Sequence, residues 1–297
     1  MREIALLSLF SLLLAMVLPG AAWADVPQEL LRWINQERRA AGAPPLRLSA
    51  PLSQAAQWHA REIARRGGTL RLPAGTAEVL HERIQKAGYD AHEWTESVQA
   101  STQDLETMLR HWRSSDAETF RKLLDPQFRD LGIGLDRLDG MPLYVFIYAV
   151  PQAENFSRET ASLRDLAKVR AGMLATVNAE RRKAGVPPLT ANARLDQAAQ
   201  RHAEDMLARD FFAHESPDGK TVRQRAKEAG YDWRAIGENI AEGQISVAEV
   251  MKTWMNSPGH RRNILDRDFK ELGTGLALGR SGNGWRVKWV QAFGTRK

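Results

Sequence analysis

The chain carries one pattern twice. Asn35 to Arg66, NQERRAAGAPPLRLSAPLSQAAQWHAREIARR, lies over Asn178 to Arg209, NAERRKAGVPPLTANARLDQAAQRHAEDMLAR, at a constant offset of 143 residues, and 18 of the 32 positions are identical. Unrelated sequences of average composition would share about two. The correspondence resumes at RIQKAGYD (83–90) against RAKEAGYD (225–232), and again at LDPQFRDLGIGL (124–135) against LDRDFKELGTGL (265–276). Both copies close on an apolar run, LYVFIYAV and WRVKWVQAF. A tandem duplication therefore governs the fold, and each copy needs a core of its own.

The N-terminus stands apart from the repeat. Arg2, an apolar run from Ile4 to Leu18, Pro19-Gly20 and then Ala22-Trp23-Ala24 have the order of a signal peptide, and the apolar run is too short to span a bilayer. The expected division is a signal peptide at 1–24, a first domain at 26–150, a polar linker at 151–167 and a second domain at 168–297. Export, to the periplasm or beyond the cell, follows from the leader, and no transmembrane segment is expected after its removal. The chain has no cysteine, which excludes disulfide staples, lipoprotein acylation and thiol catalysis. Its 42 basic and 36 acidic residues are interspersed, giving a net charge of +6. That balance describes a solvated surface, and no nucleic-acid-reading motif accompanies it. Asn155-Phe156-Ser157 matches a glycosylation sequon, a pattern too short to carry weight.

Each copy reads as helix, helix, an irregular middle, a third helix and then strands, an α+β pattern with a small antiparallel sheet. Leu195, Ala199, His202 and Met206 recur at i, i+4, i+7 and i+11, as do Leu52, Ala56, His59 and Ile63. His202 and His59 are therefore expected on buried helical stripes as core histidines.

Copy two alone carries a further constellation: His214 in FAHESPDG, Glu238 in GENIAEG and His260 in SPGHRRNIL. Two imidazoles and a carboxylate suit either a divalent cation with open positions for water or general acid–base chemistry. Gly237 and Gly259 are expected to turn the backbone and present these side chains at a rim. Phosphate-loop, zinc-protease and G-x-S-x-G patterns all fail.

In this order, FAHESPDG, GENIA, WMNSPGHRRNIL, ELGTGLA and WVQAFG resemble the CAP superfamily of cysteine-rich secretory, antigen 5 and pathogenesis-related proteins, in its bacterial SCP-like branch. The resemblance covers Ala167 to Gly294. It implies two tandem α-β-α sandwich domains, and a cleft of two histidines and two acids that holds a divalent cation, such as zinc, in some members. Carried over residue by residue, His214 and His260 match the cleft histidines and Glu238 the first acid. The second acid departs from the pattern: Met255, Asn256 and Ser257 follow Trp254, leaving Glu215 or Glu249 as substitutes. Copy one keeps Glu96 at the Glu238 position, but has Ala117 or Glu118 in place of His260 and TLRLPAG around the place of His214. It resembles a degenerate CAP domain. The family implies binding of lipid, cell-wall or protein ligands at the envelope. The alternative is a hydrolase using His214, Glu238 and His260.

Overall fold

The computed structural model describes residues 25–67, 76–102 and 105–297, so the expected signal segment lies outside the described residues. The chain forms two compact units that divide after Gln152.

The first unit runs α1 (Val26–Ala40), β1 (Arg47–Leu48), α2 (Ala50–Arg66), α3 (Thr76–Lys86), β2 (Ala91–Ala100), α4 (Leu105–Ser114), α5 (Ala117–Leu124), β3 (Asp130–Leu138) and β4 (Met141–Pro151). The next segment contains α6 (Gln152–Glu159) and a 3-10 turn (Ala161–Leu163). The second unit continues with α7 (Leu166–Lys183), β5 (Thr190–Ala191), α8 (Ala193–Ala208), α9 (Val222–Glu228), β6 (Trp233–Glu242), α10 (Val247–Asn256), α11 (Pro258–Leu265), β7 (Glu271–Ser281) and β8 (Gly284–Arg296). The sheets have the same order, β1-β3-β4-β2 and β5-β7-β8-β6, with the short first strand parallel and the rest antiparallel.

Each sheet is buried on both faces, which makes each unit an α-β-α sandwich. Along β8, Trp289 and Phe293 enter one core while Val290 and Ala292 enter the other. On β4, Tyr144, Phe146 and Tyr148 oppose Val145, Ile147 and Ala149 in the same way. The period of two that makes a strand thus builds two cores from one run.

The repeated motifs have identifiable work. Asn178 bonds Leu189 through both backbone groups, and Asn35 does the same to Leu46. Arg181, with no exposure, donates to the carbonyls of Pro187, Ile264, Asp266 and Phe269. Its counterpart Arg38 donates to Pro44, Leu123, Asp125 and Phe128. Each guanidinium ties the first helix to the carbonyl end of the helix that precedes the β-hairpin, satisfying groups that a helix terminus leaves open. Burial lowers the pKa of Arg38 to about 10, which still leaves it charged at neutral pH. The LGTGL motif is a packing surface. A Cβ on Gly273 or Gly275 would stand 2.1 and 2.2 Å from the backbone of Leu195 and Ala199, so α8 lies directly on β7.

Three local expectations change. The irregular middle contains a helix in each unit, α3 and α9. The single third helix is two helices, because Pro258 holds Ser257 in an extended conformation (φ −97°, ψ 119°) and breaks the run after α10. In the first unit Asp116 makes the same break by capping α5 through Thr119 N. Within 151–167, where a polar linker was expected, Phe156 packs against Trp285 in a tilted contact with ring centroids 5.1 Å apart, and Leu163 joins the core of the second unit. Asn155 of the sequon is 2% exposed, with its Oδ1 accepting from Arg158, so it presents no acceptor to a glycosyl donor.

Candidate functional site

His214, Glu238 and His260 arise from three parts of the second unit: the loop after α8, the edge strand β6 and the first turn of α11. The fold brings the first two into contact. His214 Nδ1 lies 2.8 Å from Glu238 Oε1, with the imidazole 59% exposed and the carboxylate 3% exposed. Donation from Nδ1–H leaves the His214 Nε2 lone pair free.

The other carboxylate oxygen is also engaged. Arg225 Nη2, on α9, donates to Glu238 Oε2 at 2.7 Å with both side chains buried. The same guanidinium donates to His214 O at 2.9 Å and Lys220 O at 2.6 Å. It therefore neutralises the acid and fixes the loop carrying His214 in one arrangement. Arg225 was absent from the sequence-derived site. Its only sequence signal was its place in the RAKEAGYD repeat, which it shares with Arg83.

His260 is held from behind. Asn239 Nδ2 donates to His260 O at 3.2 Å and to Gln291 Oε1 at 3.1 Å, and both amide side chains are fully buried. Asn263 Nδ2 bonds Glu238 O and Asn239 Oδ1, joining α11 to β6. Burial, with a smaller contribution from neighbouring His214, lowers the pKa of His260, and its Nδ1 is shielded without a partner.

The glycines act differently from expectation. Gly237 lies within β6 and Gly259 within α11, and neither has a positive φ. Gly237 is required because the ring of Phe269 approaches within 2.6 Å of where its Cβ would sit, whereas a Cβ on Gly259 meets nothing within 4 Å. Glu249, one substitute for the second acid, caps α10: its N bonds Ser246 Oγ, and its Oε2 accepts from Ile245 N. Glu215 is exposed, and its Oε1 folds toward Gly219.

For a divalent cation, the free donors are therefore the two imidazoles, with Glu238 orienting His214 from behind. Among the described residues no cluster of three His, Cys, Asp or Glu side chains has ligand geometry. Two imidazoles without a third protein ligand do not make a closed structural site, which is almost always four-coordinate through protein ligands.

The core histidines differ between units. His202 has no exposure, Nε2 meets Ala213 O at 3.0 Å, Nδ1 has no partner, and burial lowers its pKa. His59 is also buried, but its Nε2 lies 3.2 Å from Glu96 Oε2 without hydrogen-bond geometry. In the first unit the surviving acid thus faces the helix histidine. Arg83, the counterpart of Arg225, turns instead to Glu62, which also holds Arg66.

A model of the cysteine-rich secretory protein family, CAP, matches residues 31–148 and 174–293. The chain is 34% identical over 138 residues to YkwD of Bacillus subtilis, an uncharacterised protein, the match covering 46% of this chain and 53% of that one. It is 32% identical over 104 residues to the B. subtilis uncharacterised membrane protein YlbC, covering 35% and 30%. The chain thus spans about half, or less, of the curated relatives it matches. Among solved structures, an extracellular SCP-domain protein of Bacillus anthracis is 19% identical with a TM-score of 0.40, covering 73% of this chain and 71% of that one. An outer surface protein of Borrelia burgdorferi is 20% identical with a TM-score of 0.38, covering 48% and 96%. Five ordered motifs, two sandwich units of one topology and a family model matched once in each unit make the same assignment: the chain belongs to the cysteine-rich secretory protein family and carries two CAP domains in tandem.

Proposed function

We propose that the protein is an exported binding module of the cell envelope or extracellular space, and that the cleft of its second domain recognises a lipid or cell-wall ligand. His214 and His260 would hold a divalent cation such as zinc, which would supply a Lewis-acid contact to an oxygen of the ligand. Glu238 and Arg225 would keep His214 oriented for it. The reading rests on the asymmetry between the units: the imidazole pair and its buried Arg225–Glu238 support occur in the second only, while the first keeps the sandwich and closes its remaining acid on His59. A duplicated interaction surface has no need of a second such cleft. Among the described residues no helix is long and apolar enough to cross a membrane.

A hydrolase is the second reading, favoured by the 2.8 Å contact between His214 and Glu238, an arrangement that activates water or a hydroxyl. Against it, no serine or threonine hydroxyl among the described residues bonds either imidazole.

Zinc titrated calorimetrically into the chain from Asp25 onward should bind at one site. The His214→Ala/His260→Ala protein should show no such binding, while His202→Ala should keep it and lose stability. Equal binding by all three proteins would refute the cation cleft. Turnover of ester, peptide or cell-wall substrates that vanishes in His260→Ala would replace binding with hydrolysis.

A further inference from the structure

Two shallow hollows of the second unit run into each other along α8, meeting at Leu166 and Gln200. Neither is lined by His214, Arg225, Glu238 or His260. The first, of about 420 Å³, has an apolar floor of Leu163, Leu166, Leu207, Leu276 and Leu278. The second, of about 590 Å³, is walled by Arg170, Arg194, Gln197 and Arg201. Together they form one open groove that follows α8 from Ala193 to Leu207, a rise of about 21 Å.

The duplication separates what the sandwich needs here from what it does not. Gln200 closes the edge of β7 by bonding both backbone groups of Leu276, and Gln57 does the same to Leu135. That contact is kept in both units, but the groove is not. Where the second unit has Arg170, Arg194 and Arg201, the first has Pro27, Pro51 and Trp58. Leu207 and Leu278 are matched by Ala64 and Arg137. A sandwich of the same topology thus forms without the basic half and without the apolar half.

Charge and shape select the occupant. Arg170 is shared between the Thr274 carbonyl and Asp196, at 3.5 Å, and Arg194 donates to Gly230 O. No carboxylate among the described residues pairs with Arg194 or Arg201, both exposed, so two guanidiniums keep donors for an anion. They stand two turns apart on α8, about 10 Å along one stripe. The apolar end lies open to water and carries the exposed Glu204, which Gln200 holds. An alkyl chain laid there would stay half in water beside a carboxylate. A helix covers such a groove with its own body and brings acidic and apolar side chains to it on one face.

We propose that this groove docks an acidic amphipathic helix of a partner protein, about 15 residues long. Two of its carboxylates, at i and i+7, face Arg194 and Arg201. Its apolar side chains fill the floor between Leu163, Leu207 and Leu278.

The probe is a displayed library of random 15-residue peptides, selected on the full chain from Asp25 onward. Selected sequences should carry acids at i and i+7 with apolar residues on the same face, and synthetic copies should lose affinity as salt is raised. Arg194→Gln/Arg201→Gln should weaken them about fivefold or more, the scale of two exposed ion pairs. Leu278→Arg, a change that the first unit accommodates at Arg137, should weaken them about tenfold, since the floor then holds a charge. His214→Ala/His260→Ala should bind as the parent does, so failure of the cation cleft leaves this result standing. The proposal fails if no acidic sequence is enriched, or if the selected peptides bind the arginine variant as tightly as the parent. It also fails if phosphatidylglycerol vesicles bind through Arg194 and Arg201 while no peptide does; the groove would then face a lipid surface. Thermal unfolding checks that each variant is folded, and the exposed arginine pair carries the test if Leu278→Arg is not.

Discussion

Replacing Arg225 with leucine gives the sharpest test of the cleft architecture. The substitution keeps an aliphatic stem but removes a guanidinium that makes a 2.7 Å contact with Glu238, the two side chains being 7% and 3% exposed. A carboxylate left buried without its cation costs about 3–5 kcal/mol. The bonds to His214 O and Lys220 O go too, and each is worth about 1 kcal/mol net. These losses overlap, because a freed loop lets water reach the acid, so the expected destabilisation is about 3–4 kcal/mol rather than the sum. Urea unfolding of Arg225→Leu against the parent, followed by tryptophan fluorescence, measures it directly. The double substitution Arg225→Leu/Glu238→Gln should recover about half of the loss, since no charge is then stranded. A single-mutant loss below about 1 kcal/mol, or a double mutant no better than the single, would refute the claim that Arg225 neutralises Glu238 and pins the His214 loop.

Three further outcomes follow from the geometry. Gly275→Ala places a Cβ about 2.2 Å from the Ala199 carbonyl carbon, so α8 must lift off β7; a loss of about 3 kcal/mol or more in thermal or chemical unfolding is expected. Burial holds the pKa of His202 below its usual range, so the unfolded chain binds a proton more readily than the folded one. The stability that this residue contributes is complete above about pH 6.5 and falls as the pH drops from there toward the folded-state value. Tm measured across that range should therefore decline less steeply in His202→Gln than in the parent. Asp205→Glu gives the second unit the side chain that Glu62 supplies in the first, and should draw Arg225 away from Glu238 as Glu62 draws Arg83. The readout is a changed His214 imidazole resonance, and an unchanged one would reject the idea.

Much of the fold was legible in the sequence because the duplication compares the chain with itself. Positions that survive in both copies, such as Arg38 and Arg181 or the paired glycines of β3 and β7, proved to be those whose atoms meet backbone across the fold. The apolar stripe of α8 placed His202 correctly in the core. Pattern alone did not find partners that depend on tertiary geometry. Nothing local to Arg225 announces that it reaches a strand residue 13 positions on, and nothing in GENIAEG says that its glycine faces Phe269. The break at Pro258 was written in the sequence, but a proline at N1 starts a helix as readily as it ends one, so one helix or two fitted the same letters.

The divergence of the two copies then reduces to a small number of contacts. In both, α2 or α8 presents a carboxylate four residues before an arginine, Glu62 with Arg66 and Asp205 with Arg209. The glutamate also reaches Arg83 across the domain, whereas the aspartate, one methylene shorter, does not take Arg225. With Asp218 available to share Arg209, the second unit leaves Arg225 free for Glu238, and the loop bearing His214 is fixed by the same guanidinium. In the first unit the arginine is spent on Glu62, and Glu96 settles against His59. In the first unit the absence of cleft histidines and the capture of the arginine by Glu62 thus occur together, and in the second unit the histidines and the Arg225–Glu238 pair do.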